Sequence, residues 1–285
     1  MTGTKTFVHI TDLHISAPEL RDEKLRSNTT ETLHTVLGMI RQINPPPSFV
    51  IASGDLTNHG DEASFRTLAQ MMEGFEIPVV WALGNHDTRA GFYAGLLKST
   101  DSADKTYDHD QVIDDIHIIT LDTSNPLRIG GDLSDAQFDY LESALQTQPE
   151  LPTIISMHHA PALDTDPLWE WEGWSFAAPH RLAGMLKGRK IAGILSGHIH
   201  QDRFSHWHGI PLIVGMGLHA ALDPLHSGKS IRSVQGTSFS ICALRDSGLT
   251  VTCVPLPSDR RELAISTIEQ LQAYEAARAS ALAAE

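Results

Sequence analysis

Cysteine is scarce in this chain: only Cys242 and Cys253 occur among its 285 residues. So few thiols exclude a disulfide scaffold and a cysteine-rich zinc site. The two cysteines flank Asp246-Ser247-Gly248, which is typical of a β-hairpin, and a two-residue turn at Ser247-Gly248 would place them directly opposite each other. A cross-strand disulfide is one interpretation. In a reducing cytosol, two small buried apolar side chains are the favoured one.

Positive charge and long apolar runs are scarce as well. The formal net charge is −14, which opposes a protein that binds along a nucleic-acid backbone, because such binding needs a basic face. No apolar run approaches the roughly 20 residues of a membrane helix, and the first ten residues lack the apolar region of a signal peptide. We therefore expect a cytoplasmic protein whose partners include neither a membrane nor a nucleic-acid polymer. A small anionic substrate stays compatible with this charge.

Short apolar runs followed by a turn with His, Asp or Asn recur along the chain. Apolar runs of this length, rich in Val and Ile, predict strands that are buried on both faces. The five segments are 6–14, 49–56, 79–87, 153–161 and 193–200.

Helical patterns lie between these strands, and their alternation predicts an α/β fold, called α+β in some schemes. The predicted helices are 20–43, 61–75, 133–145, with a capping box of Ser134 and Gln137, and 179–188. A hairpin over 111–122 and several strands after residue 203 predict that the sheets are mixed. The length favours one catalytic domain, 1–256, followed by a helical tail, 257–285.

The polar residues that follow the five strands form the candidate site. In α/β sheets, ligands bind beyond the carboxyl ends of the strands, so one pocket can collect all of these side chains. They offer more nitrogen and oxygen donors than one four-coordinate ion can bind. Their number suits two ions about 3.5–4 Å apart that share a carboxylate. The competing interpretation is five unrelated strand ends. The residues are Asp12, His14, Asp55, Asn85, His86, His158 or His159, His198 and His200.

The motifs DLH, GDLTNHG, GNHD, MHH and GHIH, in this order, resemble those of the calcineurin-like metallophosphoesterases. The resemblance covers about residues 5–256 and is greatest to the class III cyclic-nucleotide phosphodiesterases and bacterial glycerophosphodiesterases. It implies a four-layer αββα sandwich with a dinuclear metal site. It also implies hydrolysis of a small phosphodiester, either a glycerophosphodiester or a cyclic nucleotide, by attack of a metal-bridging hydroxide on phosphorus.

The resemblance also assigns roles to individual residues. Asp55 would be shared between the ions, His86 would contact the phosphate and help the leaving oxygen depart, and Asn85 would act both in catalysis and as a ligand. In MHH, His158 is favoured as the ligand and His159 as a substrate contact. The first ion would be bound by Asp12, His14, Asp55 and His200, and the second by Asp55, Asn85, His158 and His198. Manganese, iron, zinc or cobalt suits these donors.

Other residues near the motifs are candidate substrate contacts. Asn58 and His59 either touch substrate or cap the helix that starts near Asp61, and Arg89 either reaches a phosphate oxygen or is a surface arginine. Asp87 either orients a histidine or shapes its loop. His219 is expected to line the pocket.

An aromatic segment follows the MHH loop, and its acidic neighbours favour a cationic group. Trp169 and Trp171 could form a lid over the alcohol part of a choline diester through cation–π contact. Alternatively, they pack the loop or form an oligomer contact.

Three further functions stay open at this stage. A non-catalytic scaffold would be expected to lack metal ligands, whereas every position here is filled. A nuclease is opposed by the acidic charge, and phosphomonoesterase activity can coexist with diesterase activity.

The strand-rich segment 203–256 and an apolar stripe in a helix over 260–285 predict a homodimer or higher homo-oligomer.

Overall fold

Two β-sheets packed face to face, with helices on their outer sides, make up the fold. The computed structural model describes residues 3–22, 25–99, 103–162, 176–226 and 228–283. This arrangement confirms the four-layer αββα sandwich. Within the described residues, no helix is long and apolar enough to span a membrane.

The first sheet is mixed and has the strand order β13-β12-β1-β2-β3. In it, β1 is parallel to β2 and β2 to β3, whereas β12 runs antiparallel to both of its neighbours. Its strands are β1 (Lys5–Ile10), β2 (Val50–Ser53), β3 (Val79–Ala82), β12 (Ser238–Arg245) and β13 (Gly248–Pro255).

The second sheet has the order β4-β5-β6-β7-β9-β8, and its four central strands are parallel. Its strands are β4 (His109–Ile113), β5 (Ile116–Leu121), β6 (Thr153–Met157), β7 (Ile191–Ser196), β8 (Arg203–Trp207) and β9 (Ile210–Val214). A small third sheet joins β10 (Ala221–Leu222), β11 (Ser230–Val234) and β14 (Glu262–Thr267).

The helices lie between these strands in the chain. They are α1 (Thr29–Arg41), α2 (Glu62–Met71), α3 (Arg89–Gly91, continued by a π-helix over Phe92–Leu96), α4 (Asp135–Thr147), α5 (Pro179–Leu186) and α6 (Ile268–Leu282). Ser134 and Gln137 form the predicted capping box of α4.

The hydrophobic core has three layers. Apolar side chains of both sheets, including Phe7 and Leu195, meet between the sheets. Leu33 of α1 packs on the outer face of the first sheet, and Phe138 of α4 packs on that of the second. Each such side chain contributes roughly 1.5–3 kcal/mol when it is fully buried. The core therefore fixes both sheets and leaves the carboxyl ends of their parallel strands to carry the loops.

Three sequence predictions about local structure are wrong. The helix predicted over 20–43 begins only at Thr29, because Asn28 accepts a hydrogen bond from the backbone N–H of Glu31 and caps α1 there. Upstream, Pro18–Leu20 forms a single 3-10 turn that ends in a left-handed Arg21, with φ of 44°.

The C-terminal tail is not helical throughout. Residues 262–267 form β14, which pairs with β11, and α6 begins at Ile268. The apolar residues Leu263 and Ile265 are two apart, which is the period of a strand. A capping box of Thr267 and Gln270 marks the true helix start.

The two cysteines are not directly opposite each other. Arg245 pairs with Gly248, so the turn is Asp246-Ser247 and the register differs from the predicted one by two residues. Gly248, with φ of 123°, follows the turn instead of lying within it. Cys253 faces Ser240, and both thiols are free.

Candidate metal centre

The loops that follow the parallel strands bring the predicted ligands together through unusual backbone conformations. Of 11 non-glycine residues with positive φ in the described part of the chain, five are predicted ligands. Left-handed backbone is unfavourable for such residues and concentrates at functional sites. The strand geometry therefore does not persist past Ile10 and Ser196, yet the side chains still converge. The five residues are Asp12, His14, Asp55, His198 and His200.

Four side chains form one half of the candidate site. The ligand atoms of Asp12, His14, Asp55 and His200 all lie within 4.8 Å of one another. His200 Nε2 is 3.2 Å from Asp12 Oδ1, and His14 Nε2 is 3.7 Å from Asp55 Oδ2. These are the residues that the sequence predicts for the first ion.

The other half lies on the far side of Asp55. His158 Nε2 is 3.2 Å from Asp55 Oδ2, and His198 Nδ1 is 3.0 Å from Asn85 Oδ1. The backbone N–H of His198 also points at the Asp12 carboxylate. Asp55 thus contacts donors of both halves, which is the position that a shared carboxylate requires.

Hydrogen bonds to the second ring nitrogen orient three of the histidines. His158 Nδ1 donates to the carbonyl oxygen of Ser53 at 3.0 Å, and His200 Nδ1 donates to that of Ala220 at 2.9 Å. His14 Nδ1 lies 2.9 Å from the side-chain oxygen of Asn58. Because these acceptors hold the Nδ1 proton, each ring directs Nε2 at the carboxylates.

One of these Nε2 atoms tests whether the site suits metal ions. Nε2 of His14 is buried, lies 3.7 Å from Asp55 Oδ2 and has no hydrogen-bond partner among the described residues. Buried polar atoms are nearly always satisfied, so this atom beside two carboxylates indicates a missing partner. Imidazole and carboxylate donors without a thiolate fit Mn, Fe, Co or Zn. The residues therefore fit divalent ions.

The electrostatics of the site couple its acids to its histidines. Burial raises the pKa of the Asp55 carboxyl, but His158 and His86 outweigh it and hold that pKa well below its ordinary value. Burial lowers the pKa of the His158 imidazole, whereas Asp55 and Asp12 raise it to about 9. Because metal ligands must be deprotonated, metal binding at His158 would displace a proton.

Two glycines allow the loops to approach one another closely. A Cβ at Gly84 would lie 2.2 Å from Asp55 Oδ1, and one at Gly197 would lie 2.0 Å from Thr11 Oγ1 and 2.4 Å from Asp12 Oδ2. No side chain fits at either position. Gly197 therefore serves close approach, since its φ is not among the positive ones.

The comparisons with known proteins agree with this geometry. The family model described as calcineurin-like phosphoesterase matches residues 5–202. The chain belongs to this family. It is 34% identical over 215 residues to the probable cyclic nucleotide phosphodiesterase of Rhodococcus erythropolis, covering 73% of this chain and 68% of that protein. It is 30% identical over 213 residues to the 3',5'-cyclic adenosine monophosphate phosphodiesterase CpdA of Escherichia coli strain K12. This match covers 72% of the present chain and 73% of CpdA.

A solved structure supports the fold alone. Purple acid phosphatase PPD1 from yellow lupin seeds matches with a TM-score of 0.62 at 16% identity. The match covers 94% of this chain and 54% of the lupin chain, so this phosphoesterase spans about half of that protein.

In this phosphoesterase, His86 lies beside the candidate metal ligands. Its backbone N–H donates to Asp55 Oδ1 at 2.8 Å, and its Nδ1 donates to the carbonyl oxygen of Asn58 at 2.9 Å. Its ring centroid is 4.7 Å from that of His14. Nε2 is therefore the ring atom that is left to face a substrate.

The geometry favours His158 over His159 as the ligand. Both ring nitrogens of His159 are engaged: Nε2 donates to the carbonyl oxygen of Ile129 at 2.9 Å, and Nδ1 lies 2.8 Å from Thr123 Oγ1. Burial, with the neighbouring His158, lowers the pKa of His159 to about 3. Although its ligand atom lies within 4.8 Å of those of His158 and His198, His159 is a neutral, fully bonded residue.

Two of the alternatives left open by the sequence are now distinguished. Among the described residues, the Asp87 carboxylate forms no hydrogen bond or ion pair with a histidine. Its carboxylate accepts hydrogen bonds from the backbone N–H groups of Leu56, Thr57 and Gly84, which joins the GDLT and GNHD loops. Arg89 Nε donates to Asp122 Oδ2 at 2.8 Å, and Arg89 Nη2 donates to the carbonyl oxygen of Ser124. This geometry favours a structural role for Arg89 over a substrate contact.

Asn58 and His59 both contact Asp22, and Asn58 also contacts a predicted metal ligand, His14. Neither caps α2, because Asp61 accepts the N-terminal hydrogen bond from Ser64. Asn58 orients His14 and donates to Asp22, while His59 Nε2 lies 2.6 Å from Asp22 Oδ2. Asn58 therefore acts behind the metal ligands.

His219 lies at the edge of the first cluster, with its ring centroid 4.6 Å from that of His14. Its Nε2 is buried without a hydrogen-bond partner in the described ranges, and a contact of His219 with substrate stays a prediction. Trp169 and Trp171 lie outside the described residues. Arg278 of α6 also reaches the site, where it donates to the backbone carbonyl of Asn85 at 2.8 Å. No sequence motif marks this contact, because it joins residues 193 positions apart.

Proposed function

We propose that this phosphoesterase is a dinuclear metal-dependent phosphodiesterase that hydrolyses cyclic nucleotides. The observation that carries the proposal is the convergence of two carboxylates, one amide and four imidazoles from five loops. The names of the two relatives reported above, both cyclic-nucleotide phosphodiesterases, support the choice of substrate.

The ligand assignment follows the two halves of the site. Asp55 would be shared, and its contacts on both sides support this role. The first ion would be held by Asp12, His14, Asp55 and His200, and the second by Asp55, Asn85, His158 and His198. When bound, two such ions supply Lewis acidity at the phosphoryl group and lower the pKa of a coordinated water.

The chain itself contributes orientation and proton transfer. Asn85 holds His198, and Asp55 holds the backbone N–H of His86. With both ring nitrogens protonated, His86 would keep its Nδ1–H on the Asn58 carbonyl and use its Nε2–H to contact the phosphate and pass that proton to the departing oxygen. We propose manganese, iron, zinc or cobalt as the metals, which elemental analysis of the purified protein would test.

Cyclic nucleotides and glycerophosphodiesters are separable by experiment. Hydrolysis of glycerophosphodiesters stays a prediction, since its aromatic contacts, Trp169 and Trp171, lie outside the described residues. The test is kcat/KM of the manganese-loaded protein for cyclic AMP, cyclic GMP, glycerophosphocholine and glycerophosphoethanolamine. We expect the cyclic nucleotides to have the higher values. Higher values for both glycerophosphodiesters would overturn the substrate assignment.

We also propose a homodimer or higher homo-oligomer. Large apolar side chains are about half exposed in the strand-rich segment 203–256 and in the tail 257–285, namely Phe204, Ile265 and Tyr274. Light scattering at micromolar concentration tests this proposal, and a monomer would contradict it. The cytoplasmic location and the division between catalytic domain 1–256 and tail stay predictions, which cell fractionation and limited proteolysis would test.

A further inference from the structure

The C-terminal helix contacts the loop that carries Asn85 and His86. We propose that Arg278 of α6 is a positioning residue of the active site, which fixes the peptide group between these two residues. The proposal deepens the proposed function, since it concerns how the chain holds a metal ligand and its neighbouring proton donor.

The peptide group between Asn85 and His86 is bonded at both ends. Its carbonyl oxygen accepts a hydrogen bond from Arg278 Nη1 at 2.8 Å, and its N–H donates to Asp55 Oδ1 at 2.8 Å. A guanidinium and a carboxylate thus hold opposite sides of one planar unit, and charge-assisted hydrogen bonds are about twice as strong as neutral ones. The orientation of this plane sets the direction of both side chains.

The two side chains that this plane directs belong to different parts of the site. Asn85 Oδ1 lies 3.0 Å from His198 Nδ1, and His86 Nδ1 donates to the carbonyl oxygen of Asn58. If the carbonyl of Asn85 lost its partner, the plane could rotate and would weaken the contact with Asp55. Both a metal ligand and the proton donor would then lose their alignment.

Helix α6 carries Arg278 on the face that it turns to the protein. Ile268, Leu271, Glu275 and Arg278 are spaced by three or four residues and are at least partly buried, whereas Gln272 and Ala276 are exposed. Ile268 belongs to the core beside the second sheet.

Glu275 provides a second polar contact from the same helix face. Its Oε1 accepts a hydrogen bond from the backbone N–H of Ile129 at 2.8 Å, and the carbonyl oxygen of Ile129 accepts one from His159. One helix therefore contacts two loops of the site, and it does so from a segment far away in sequence. The candidate cation Arg89, by contrast, is bonded to Asp122.

The experiment compares Arg278→Ala, Arg278→Lys and Glu275→Ala in the full chain. Arg261→Ala is the matched control, because Arg261 is exposed and bonds only Gln235 and Asp259 among the described residues. The readouts are Mn²⁺ titration of the metal-free chain, amide hydrogen exchange of the peptide that contains His86, thermal unfolding, and kcat and KM for bis(p-nitrophenyl) phosphate.

For Arg278→Ala we expect kcat and the Mn²⁺ affinity of the second site, to which Asn85 is assigned, to fall roughly 10–100-fold, as for other residues that orient metal ligands. KM should change by less than about 3-fold, since no substrate contact is removed. Amide exchange at His86 should accelerate in the metal-free chain. Arg278→Lys should recover part of the loss, Glu275→Ala should show a smaller loss in the same direction, and Arg261→Ala should match the wild type.

Unchanged Mn²⁺ affinity and amide exchange in Arg278→Ala would overturn the proposal, as would a loss confined to KM or an equal loss in Arg261→Ala. If Arg278→Ala does not fold, Arg278→Lys and Glu275→Ala carry the same comparison. The metal and exchange readouts do not depend on turnover. A wild-type protein that hydrolyses no phosphodiester would therefore refute the proposed function and leave the role of Arg278 testable.

Discussion

The two sheets contribute different kinds of metal ligand. Among the proposed ligands, loops of the first sheet carry every carboxylate and the amide, in Asp12, Asp55 and Asn85, together with the imidazole of His14. Loops of the second sheet contribute histidines alone: His158, His198 and His200. Acceptors with negative charge thus face donors that can take up positive charge across the junction of the sheets.

This segregation explains how the site is balanced without metal. His158 pairs with Asp55 and His200 with Asp12, each at 3.2 Å. Burial lowers the pKa of His200, whereas Asp12 outweighs it and raises that pKa above its ordinary value. Protons on His158 and His200 can therefore occupy the place of bound cations, and metal binding would exchange them. The comparison predicts that the shared first-sheet carboxylate, Asp55, matters for both ions and each second-sheet histidine for one.

The largest expected effect comes from Asp55→Ala, which removes the carboxylate whose side chain lies beside imidazoles of both proposed metal sites. We expect loss of both metal ions and a fall in kcat of at least about 10³-fold, because several kcal/mol of charge stabilisation disappears. Metal content by elemental analysis and kcat measure this outcome. Asp110→Ala is the control, since Asp110 belongs to no part of the site. Its Oδ2 lies 2.9 Å from His117 Nε2. Retention of two ions in Asp55→Ala would refute the shared role.

The second test separates two adjacent histidines of the second sheet. His158→Ala should lose one ion and most activity, because the Nε2 atom of His158 faces Asp55. His159→Ala should keep two ions and instead lower the free energy of unfolding by about 2–4 kcal/mol, because it empties the space of a fully buried imidazole and removes its hydrogen bonds to the Ile129 carbonyl and the Thr123 hydroxyl. Metal analysis and urea denaturation of both variants check this. Loss of metal in His159→Ala alone would reverse the assignment.

The third test concerns a residue that belongs to neither set of ligands. His86→Ala should keep both ions and lose roughly 10²–10⁴ in kcat for substrates with poor leaving groups. Aryl diesters, whose leaving groups need less protonation, should lose less. Rates over a series of leaving groups, with metal content measured in parallel, provide the test. If His86→Ala lost metal, His86 would act on the ions and not on the leaving group.

The sequence was sufficient for the fold class and for the set of converging residues, because both depend on local patterns. Strand periodicity and turn residues mark the five loops. His198 and His200 both reach the site, as their spacing predicts, although both have left-handed backbone. The features that could not be predicted from the sequence depend on contacts between residues far apart in the chain. The partners of Arg89 and Asp87, the strand β14 and the contact of Arg278 are set by tertiary packing, which overrides local propensity.

A smaller effect is expected for Asn58→Ala, which removes support behind a first-sheet ligand. Asn58 Oδ1 accepts the hydrogen bond of His14 Nδ1, so its loss frees the ring to rotate. Metal affinity should fall about 10–100-fold, as is usual for residues that orient metal ligands. Mn²⁺ titration measures this, with His59→Ala as the neighbouring control. Equal affinity in Asn58→Ala and the wild type would show that His14 keeps its orientation without Asn58.

The smallest effect on activity is expected for Arg89→Ala. Arg89 connects α3 to the second sheet through Asp122, whose side chain is fully buried, and this pairing keeps its guanidinium away from the phosphate. We expect KM to stay within about 3-fold of the wild type, since no substrate contact is lost. The free energy of unfolding should instead fall by roughly 1–3 kcal/mol, because the buried Asp122 carboxylate loses its charged partner but keeps hydrogen bonds from Tyr107 and Ser124. Steady-state kinetics and urea denaturation separate the two outcomes, and Arg189→Ala, at the more exposed pair with Glu142, should change stability far less. A tenfold or larger rise in KM with stability unchanged would restore Arg89 as a phosphate contact.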